Sequence, residues 1–446
     1  MRSGRSIDRE ILRLAVPALG ALIAEPLYLL ADTAVIARLG TTALAGFGIA
    51  SSILLTVTAP LLFLAYVTTS VVARRVGAGD HRGAADHAVQ ALWLAFSLGI
   101  ALIFGGFLAA PSIVDLFHPE AAVAADAVVY LRVSLFGVPA LLLGFAGTGY
   151  LRGFQDARTP LIVAAGAAAG NLAIELVLIY GFGLGIAASA AGTVLAQWAA
   201  ATAYVRMVAK AARPAGVSFR PDPVGLRAVI RVSLDLFVRT LALRAAFLST
   251  TIVAARFGTV PLAASEVALT IFLFFAFCLD ALAIAAQSMV GLRVGAGNLG
   301  ALRPVVNRLV GWGLVLGAAA GLLLLIGHEV LATLITPDPG VAATLSSILV
   351  VVAAMQPVAG VVFVLDGVLI GAGAMRGLAI AMLISLAVYL PLAAAVVRLE
   401  LGIVWLWGAV GAFLLARLFT LVRLAVVSLP AVRRGPSSPT RDTLRS

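Results

Sequence analysis

Long apolar runs alternate with short polar segments along the whole chain. A helix that spans a bilayer needs about 20 apolar residues, and uncharged stretches such as 39–73 and 176–205 exceed that length. The pattern predicts twelve spanning helices, near residues 11–38, 43–75, 86–110, 122–150, 159–182, 186–212, 226–257, 260–292, 302–327, 341–372, 376–398 and 403–430.

Composition supports an all-α polytopic membrane protein. Of 446 residues, 62% are hydrophobic and only 11% are charged, whereas soluble domains are about one quarter charged. A soluble fold of this size could not bury so much apolar surface. The first apolar run continues through Leu39, which is too long for a signal peptide, and the single cysteine, Cys278, excludes an internal disulfide.

The basic residues predict the orientation in the membrane. The net charge is +11, but the basic residues lie in alternate loops rather than on one face, so we expect no nucleic-acid partner. The basic loops contain Arg74, Arg75, Arg82, Arg152, Arg158, Lys210, Arg213, Arg220, Arg293, Arg303, Arg308 and Arg376. The positive-inside rule then places both termini in the cytoplasm. We expect a multi-pass protein of a bacterial inner membrane, with the lipid bilayer as its partner.

Short motifs recur at one constant spacing. RVGAG begins at Arg75 and again at Arg293, and the pairs Arg38/Arg256, Gly149/Gly367 and Arg158/Arg376 are likewise 218 positions apart. This repeat predicts two pseudo-symmetric six-helix lobes, related by an axis along the membrane normal because each has an even number of helices. The expected boundaries are 1–212 for the first lobe, 213–225 for a cytoplasmic linker, 226–432 for the second lobe and 433–446 for a polar cytoplasmic tail.

Two carboxylates inside predicted helices break this repeat. Acids in a membrane are costly and call for a partner or a function. Asp32 corresponds to Thr250 and Glu175 to Ala393 at the repeat spacing, so the acids are not needed by the repeated scaffold. We expect Asp32 and Glu175 to be functional; the alternative is that both are neutral and hydrogen-bonded for helix packing.

Helical spacing surrounds these acids with polar side chains. Residues four apart share a helix face, which groups the pairs Tyr28 with Asp32, Asn171 with Glu175, and Thr193 with Gln197. Glu25, seven positions before Asp32, extends the first group. The spacing predicts a polar pocket in the N-terminal lobe, lined by predicted helices 1, 5 and 6.

The other intramembrane acids are weaker candidates. Asp235 and Arg239 are four apart, and an internal ion pair between them is the favoured interpretation. Glu266 lies near a helix end and is expected to face water. Asp280 and Asp366 lie deeper in their helices and stay open between function and packing.

The chain lacks the sequence signatures of several enzyme classes. It contains no G-x-S-x-G elbow, and the HE pair at His328 is not followed by the second histidine of a zinc motif. We therefore expect no catalytic residues, no bound cofactor and no transition metal. Without an ATP-binding motif, transport would be driven by an ion gradient.

Three longer strings resemble a known family. PALGALIAEPLYLLADTAVIARLG, YLRGFQDARTPL and NLAIELVLIYGFGLGIAASAAGT are similar to the multidrug and toxic compound extrusion (MATE) family, in particular its DinF-like branch. The resemblance implies a V-shaped pair of six-helix lobes that acts as a monomer. It also implies a secondary active antiporter that exports organic, mostly cationic, compounds or drugs in exchange for H⁺ or Na⁺.

The resemblance also implies an ion-coupling cluster. It places the cluster at Asp32, Tyr130, Asn171, Glu175 and Thr193, with Na⁺ as a possible ligand of Asp32, Asn171 and Glu175. The family commonly has Asp where this chain has Glu175, so the carboxylate reaches one methylene further. Pro17 would be a bending point of the first helix, as would Pro26 from its position in that helix. Another branch binds Na⁺ at acids of helices 7 and 10, which Asp366 matches and Asp235 matches loosely.

A flippase for lipid-linked precursors is the alternative function within the same architecture. Such a protein would be expected to have a strongly basic central cavity or extra helices, whereas this chain offers only Arg239 and Arg244 of predicted helix 7 and twelve helices. A passive channel is disfavoured because the acids lie in one lobe without symmetric counterparts.

Overall fold

A computed structural model describes residues 4–429, and over this range the regular structure is helical throughout. The predicted tail at 433–446 and the side chain of Glu25 lie outside the described part. The N-terminal lobe contains α1 (Gly4–Ile36), α2 (Thr41–Thr58), α3 (Phe63–Gly77), α4 (His81–Asp115), α5 (Ala121–Leu135), α6 (Val138–Gly153), α7 (Arg158–Leu176) and α8 (Ile186–Ala212). The C-terminal lobe contains α9 (Pro223–Ala255), α10 (Thr259–Gly295), α11 (Leu302–Ile335), α12 (Pro339–Ala372), α13 (Met375–Arg398) and α14 (Ile403–Ser428).

These helices form twelve spans, as predicted. In the described range, 11 helical segments are long and apolar enough to cross a membrane, and the bent pair α5–α6 makes up to 12. The axes of α5 and α6 differ by 45° at the break between them. A 3₁₀ turn at Ala59–Leu62, which contains Pro60, joins α2 to α3 within one span. The predicted fold class, all-α with twelve spanning helices, is confirmed.

The structural repeat has the spacing found in the sequence. The span Thr41–Gly77 and helix α10 are 218 positions apart at both ends, and the bent pair α5–α6 corresponds to the continuous α12. Pro357 of α12, the counterpart of Pro139, lies inside a continuous helix. Helix α1 likewise continues through Pro17 and Pro26, so the bending of α1 at these positions stays a prediction.

The two lobes meet through a symmetric pair of hydrogen bonds. The hydroxyl of Ser70 in α3 donates to the carbonyl oxygen of Ile370 in α12. The hydroxyl of Ser288 in α10 donates to the carbonyl oxygen of Arg152 in α6, at 2.7 Å. Both donors and both acceptors are 218 positions apart, so each lobe contributes the same contact to the other. The contacts lie at the end of the molecule that carries the arginine-rich loops.

Ion pairs fasten the start of α1 to the C-terminal lobe at the same end. Asp8 accepts from Nε and Nη2 of Arg308, at 2.5 and 2.6 Å, and from the indole of Trp312 at 2.9 Å. Glu10 pairs with Arg293 of α10 at 2.8 Å. The arginine-rich end, which is the predicted cytoplasmic side, is therefore held closed by side chains from both lobes.

Helices α3 and α10 touch backbone to backbone where these contacts lie. A methyl group on Gly295 would collide with the carbonyl of Arg74, and one on Gly77 would collide with the carbonyl of Leu292. Only glycine permits this approach at the two symmetric positions.

We expect Gly295→Ala to lower the melting temperature of the purified protein, because overpacking a close contact costs about 1–3 kcal/mol. Gly311→Ala is the matched control, since this helical glycine has open space around its Cα. Equal melting temperatures for the two variants in a thermal-shift measurement would contradict the close contact.

Candidate functional site

A cluster of oxygen atoms lies between α1 and α7. Asn171 donates from Nδ2 to Oδ1 of Asp32 at 2.9 Å. Glu175 follows one turn later on the same face of α7, as its spacing from Asn171 predicts. Asp32 and Asn171 are 1% exposed and Glu175 is 0% exposed. The structure thus brings these three residues of the expected ion-coupling set into one cluster, and the fourth, Tyr130, has both carboxylates as electrostatic neighbours.

This cluster has unused hydrogen-bonding capacity. Four buried atoms have no hydrogen-bond partner within residues 4–429: Oδ2 of Asp32, Oδ1 of Asn171 and both carboxylate oxygens of Glu175. Burying ionised carboxylates without a partner is costly, and two of them close together repel each other. A proton removes one charge, and a hard cation is bound by oxygen ligands of this kind.

The remaining predicted residues connect this cluster to a cavity. The hydroxyls of Tyr28 and Thr193 lie 2.8 Å apart, which joins α1 to α8. Tyr130 of α5 packs edge-on against Phe47. The cavity is lined by Tyr28, Tyr130, Thr193 and Gln197. Asp32 and Glu175 are not lining residues, but Asn171, which contacts Asp32, is one.

The cavity is lined by more helices than the three predicted from the sequence. It encloses about 330 Å³ and is lined mainly by apolar side chains. Predicted helices 1, 5 and 6 correspond to α1, α7 and α8, but residues of α2, α3, α5 and α6 and one residue of α10, Asp280, also line it. An apolar cavity with a few polar groups is typical of a binding site for small organic molecules.

Asp280 is the point at which the C-terminal lobe enters this cavity. The hydroxyl of Tyr66 in α3 donates to Oδ2 of Asp280 in α10 at 2.9 Å. The side-chain amide of Gln287, two turns further along α10, donates to the carbonyl oxygen of Tyr66. Asp280 was a candidate from its depth in the predicted helix, and the contact with Tyr66 was not predicted.

The predicted ion pair between Asp235 and Arg239 is wrong. Arg239 of α9 donates from Nη2 to Oδ2 of Asp366 in α12 at 2.6 Å, and Arg417 of α14 donates to the same oxygen. All three members of this triad are less than a tenth exposed, and Asp235 is half-buried on α9. The prediction paired Arg239 with the nearest acid along α9. The partner that Arg239 contacts is instead determined by how α9, α12 and α14 are oriented against each other. Arg417 was missed, although a cation within an apolar helix was a usable signal.

Two further predictions concern residues near helix ends. Glu266 is exposed and accepts from the hydroxyl of Thr251 at 2.7 Å, in agreement with the expected position. Arg152 was assigned to a cytoplasmic loop, which is wrong, because it lies in the last turn of α6 and is only 7% exposed. Its side chain lines the cavity.

The fold and the buried oxygen cluster define a multi-pass membrane protein built from two six-helix lobes with a polar site inside the first. The sequence profile of the MatE family matches this chain twice, over residues 17–177 and 236–395. The two matches begin 219 positions apart and end 218 positions apart, in line with the repeat. The chain belongs to the MatE family.

Known relatives agree with this assignment. The chain is 31% identical to "Protein DETOXIFICATION 44, chloroplastic" of Arabidopsis thaliana over 382 residues, which cover 82% of this chain and 72% of the relative. It is 30% identical to "DNA damage-inducible protein F" of Escherichia coli over 299 residues, covering 65% and 64%. A crystal structure of the Vibrio cholerae MATE transporter VcmN has the same fold, with a TM-score of 0.85, 21% identity, and coverage of 97% of this chain and 98% of that one.

Proposed function

We propose that this protein is a secondary active antiporter that exports organic, mostly cationic, compounds in exchange for an inward-moving H⁺ or Na⁺. The observation that carries the proposal is the cluster of Asp32, Asn171 and Glu175, with four unpaired oxygen atoms beside an apolar cavity. The name of the Arabidopsis relative, which refers to detoxification, and membership of the MatE family support it.

Asn171 belongs to the cluster and also lines the cavity. This shared residue couples ion binding at the cluster to substrate binding in the cavity. With both carboxylates charged, the cluster attracts a cationic compound into the cavity through Asn171 and Tyr28. A bound H⁺ or Na⁺ removes that attraction, so the ion and the compound favour different states of one site. Each ligand shifts the conformational equilibrium only by its differential affinity for the two states. Alternating occupancy of this kind is antiport.

Access to the two sides of the membrane must alternate for export. The symmetric hydrogen bonds of Ser70 and Ser288 and the ion pairs of Asp8 and Glu10 hold the arginine-rich end closed. Opening that end requires these contacts to part. Because α1 carries both Asp32 and Asp8, a bend at Pro17 would connect ion binding to this closure.

The same proposal includes the cellular setting. We infer a bacterial inner-membrane protein that acts as a monomer in the lipid bilayer, with both termini in the cytoplasm. The positive charge of alternate loops supports this orientation. The lipid-precursor flippase has less support, since Arg239 is paired with Asp366 and is not among the residues that line the cavity.

Purified protein in liposomes tests the proposal with ethidium as the exported cation. We expect ethidium movement when a pH gradient or a Na⁺ gradient is imposed alone, and the gradient that works identifies the coupling ion. Liposomes without protein are the control. Ethidium movement that ignores both gradients, or no movement above the control, would contradict ion-coupled antiport.

A further inference from the structure

One group of buried charges between the lobes does not balance. Five ionisable side chains form this electrostatically connected group: Arg152, Arg239, Arg417, Asp280 and Asp366. Asp366 is bound by two of the guanidiniums, those of Arg239 and Arg417. Asp280 is bound by the hydroxyl of Tyr66 and has Arg152 and Arg239 as electrostatic neighbours. Three guanidiniums therefore face two carboxylates, which leaves one positive charge over.

Arg152 is the guanidinium without a direct partner. Its side chain is only 7% exposed and lines the cavity. Its Nε has no hydrogen-bond partner, and no ion pair or hydrogen bond of its side chain is found within residues 4–429; its electrostatic neighbours are Tyr66, Asp280 and Tyr204. Only its backbone carbonyl is engaged, by Ser288.

An unpaired guanidinium in such a place calls for an anion. A buried charged group is costly unless it is paired. The planar fork of arginine matches the two oxygens of a carboxylate, and such bidentate pairs are among the strongest hydrogen-bonded contacts. The cavity that Arg152 faces is otherwise lined mainly by apolar side chains, which suits the body of an organic molecule.

We propose that Arg152 binds the carboxylate of an amphoteric substrate, so that the cavity accepts compounds carrying both a cationic and a carboxylate group. This inference rests on the proposed export function and names the substrate class of the same cavity. One excess positive charge fits one carboxylate. The diphosphate of a lipid-linked precursor carries more negative charge than a single guanidinium neutralises.

Rhodamine B and rhodamine B ethyl ester test this directly. The two dyes share one cationic ring system and differ in whether the carboxylate is free. We expect the purified full-length protein in detergent to bind the free acid about tenfold or more tightly than the ester, since hydrogen bonds to charged groups contribute on that scale. Fluorescence anisotropy titration gives both dissociation constants.

Variants locate the preference. Arg152→Gln should reduce the affinity ratio to about one, and Arg152→Lys, which keeps the charge but lacks the fork, should give an intermediate ratio. Arg132→Gln is the matched control: this arginine of α5 also has an unpaired Nε, but it stacks on Phe107 and does not line the cavity. Its ratio should equal that of the unaltered protein.

Two results would overturn the inference. One is equal affinity of the unaltered protein for acid and ester, which needs no variant to fold. The other is a preference for the acid that survives in Arg152→Gln. The proposed export function is tested separately, by ion-driven export of the ester from liposomes. Export of the ester without a binding preference for the acid would contradict only the role of Arg152. A binding preference for the acid without export of either dye would contradict only the transport function.

Discussion

Glu175→Gln is expected to abolish ion-driven export. The amide has nearly the shape of the carboxyl group but cannot gain or lose a charge, so the cluster with Asp32 and Asn171 is fixed close to its neutralised form. The ion then no longer distinguishes the two conformations, and a ligand without differential affinity shifts no equilibrium. The initial rate of ethidium export from liposomes under an imposed gradient should fall to that of protein-free liposomes, while ethidium binding to the detergent-purified variant remains measurable.

Two further variants make this result specific. Glu175→Asp keeps the carboxylate and should keep ion-driven export, because the cluster needs the charge more than the extra methylene. Glu329→Gln removes an exposed carboxylate of α11 and should leave the rate unchanged. If the double variant Asp32→Asn with Glu175→Gln still exports ethidium at the unaltered rate and with the same ion dependence, these residues take no part in coupling.

The part of this cluster that depends on spacing within one helix was predictable from the sequence. The spacing of Asn171 and Glu175 places both on one face of α7, and the repeat showed that Asp32 and Glu175 have no symmetric counterparts. Neither pattern determines how α1 packs against α7, so the hydrogen bond from Asn171 to Asp32 is known only from the structure. The position of Tyr28 beside Thr193 also depends on packing between helices.

The charges between the lobes were not predictable in the same way. Arg152 was read as a loop residue because the positive-inside rule counts charges near helix ends without telling a buried last turn from a solvated loop. The pairing of Asp366 with Arg239 and Arg417 joins three helices that are far apart in the sequence. Which side chains meet depends on the rotation of each helix about its axis, and sequence spacing carries no information on that rotation between helices.

Asp32 and Glu175 of the N-terminal lobe are bound differently from Asp366 of the C-terminal lobe. Asp32 and Glu175 have no cationic partner within residues 4–429, so their charge can be removed by an exchangeable ion. Asp366 already has two cationic partners, which occupy one of its oxygens. Two guanidiniums already compensate the charge of this carboxylate. This difference supports coupling in the N-terminal lobe and a structural role for Asp366.

Asp366→Asn should therefore damage folding rather than coupling. Removing the carboxylate leaves Arg239 and Arg417 facing each other without compensation, and breaking a buried ion pair from one side costs about 3–5 kcal/mol. We expect a large fall in melting temperature and in the monodisperse fraction on size-exclusion chromatography.

Two comparison variants make this result specific. Arg417→Gln should lower the melting temperature much less, since it leaves Arg239 and Asp366 as a balanced pair. Asp235→Asn should have little effect on the melting temperature because Asp235 makes no ion pair in the described range. The folded fraction of the Asp366→Asn variant should export ethidium at a higher rate per molecule than the Asp32→Asn variant. An Asp366→Asn variant with unchanged melting temperature that loses all ion dependence would instead place the coupling ion in the C-terminal lobe.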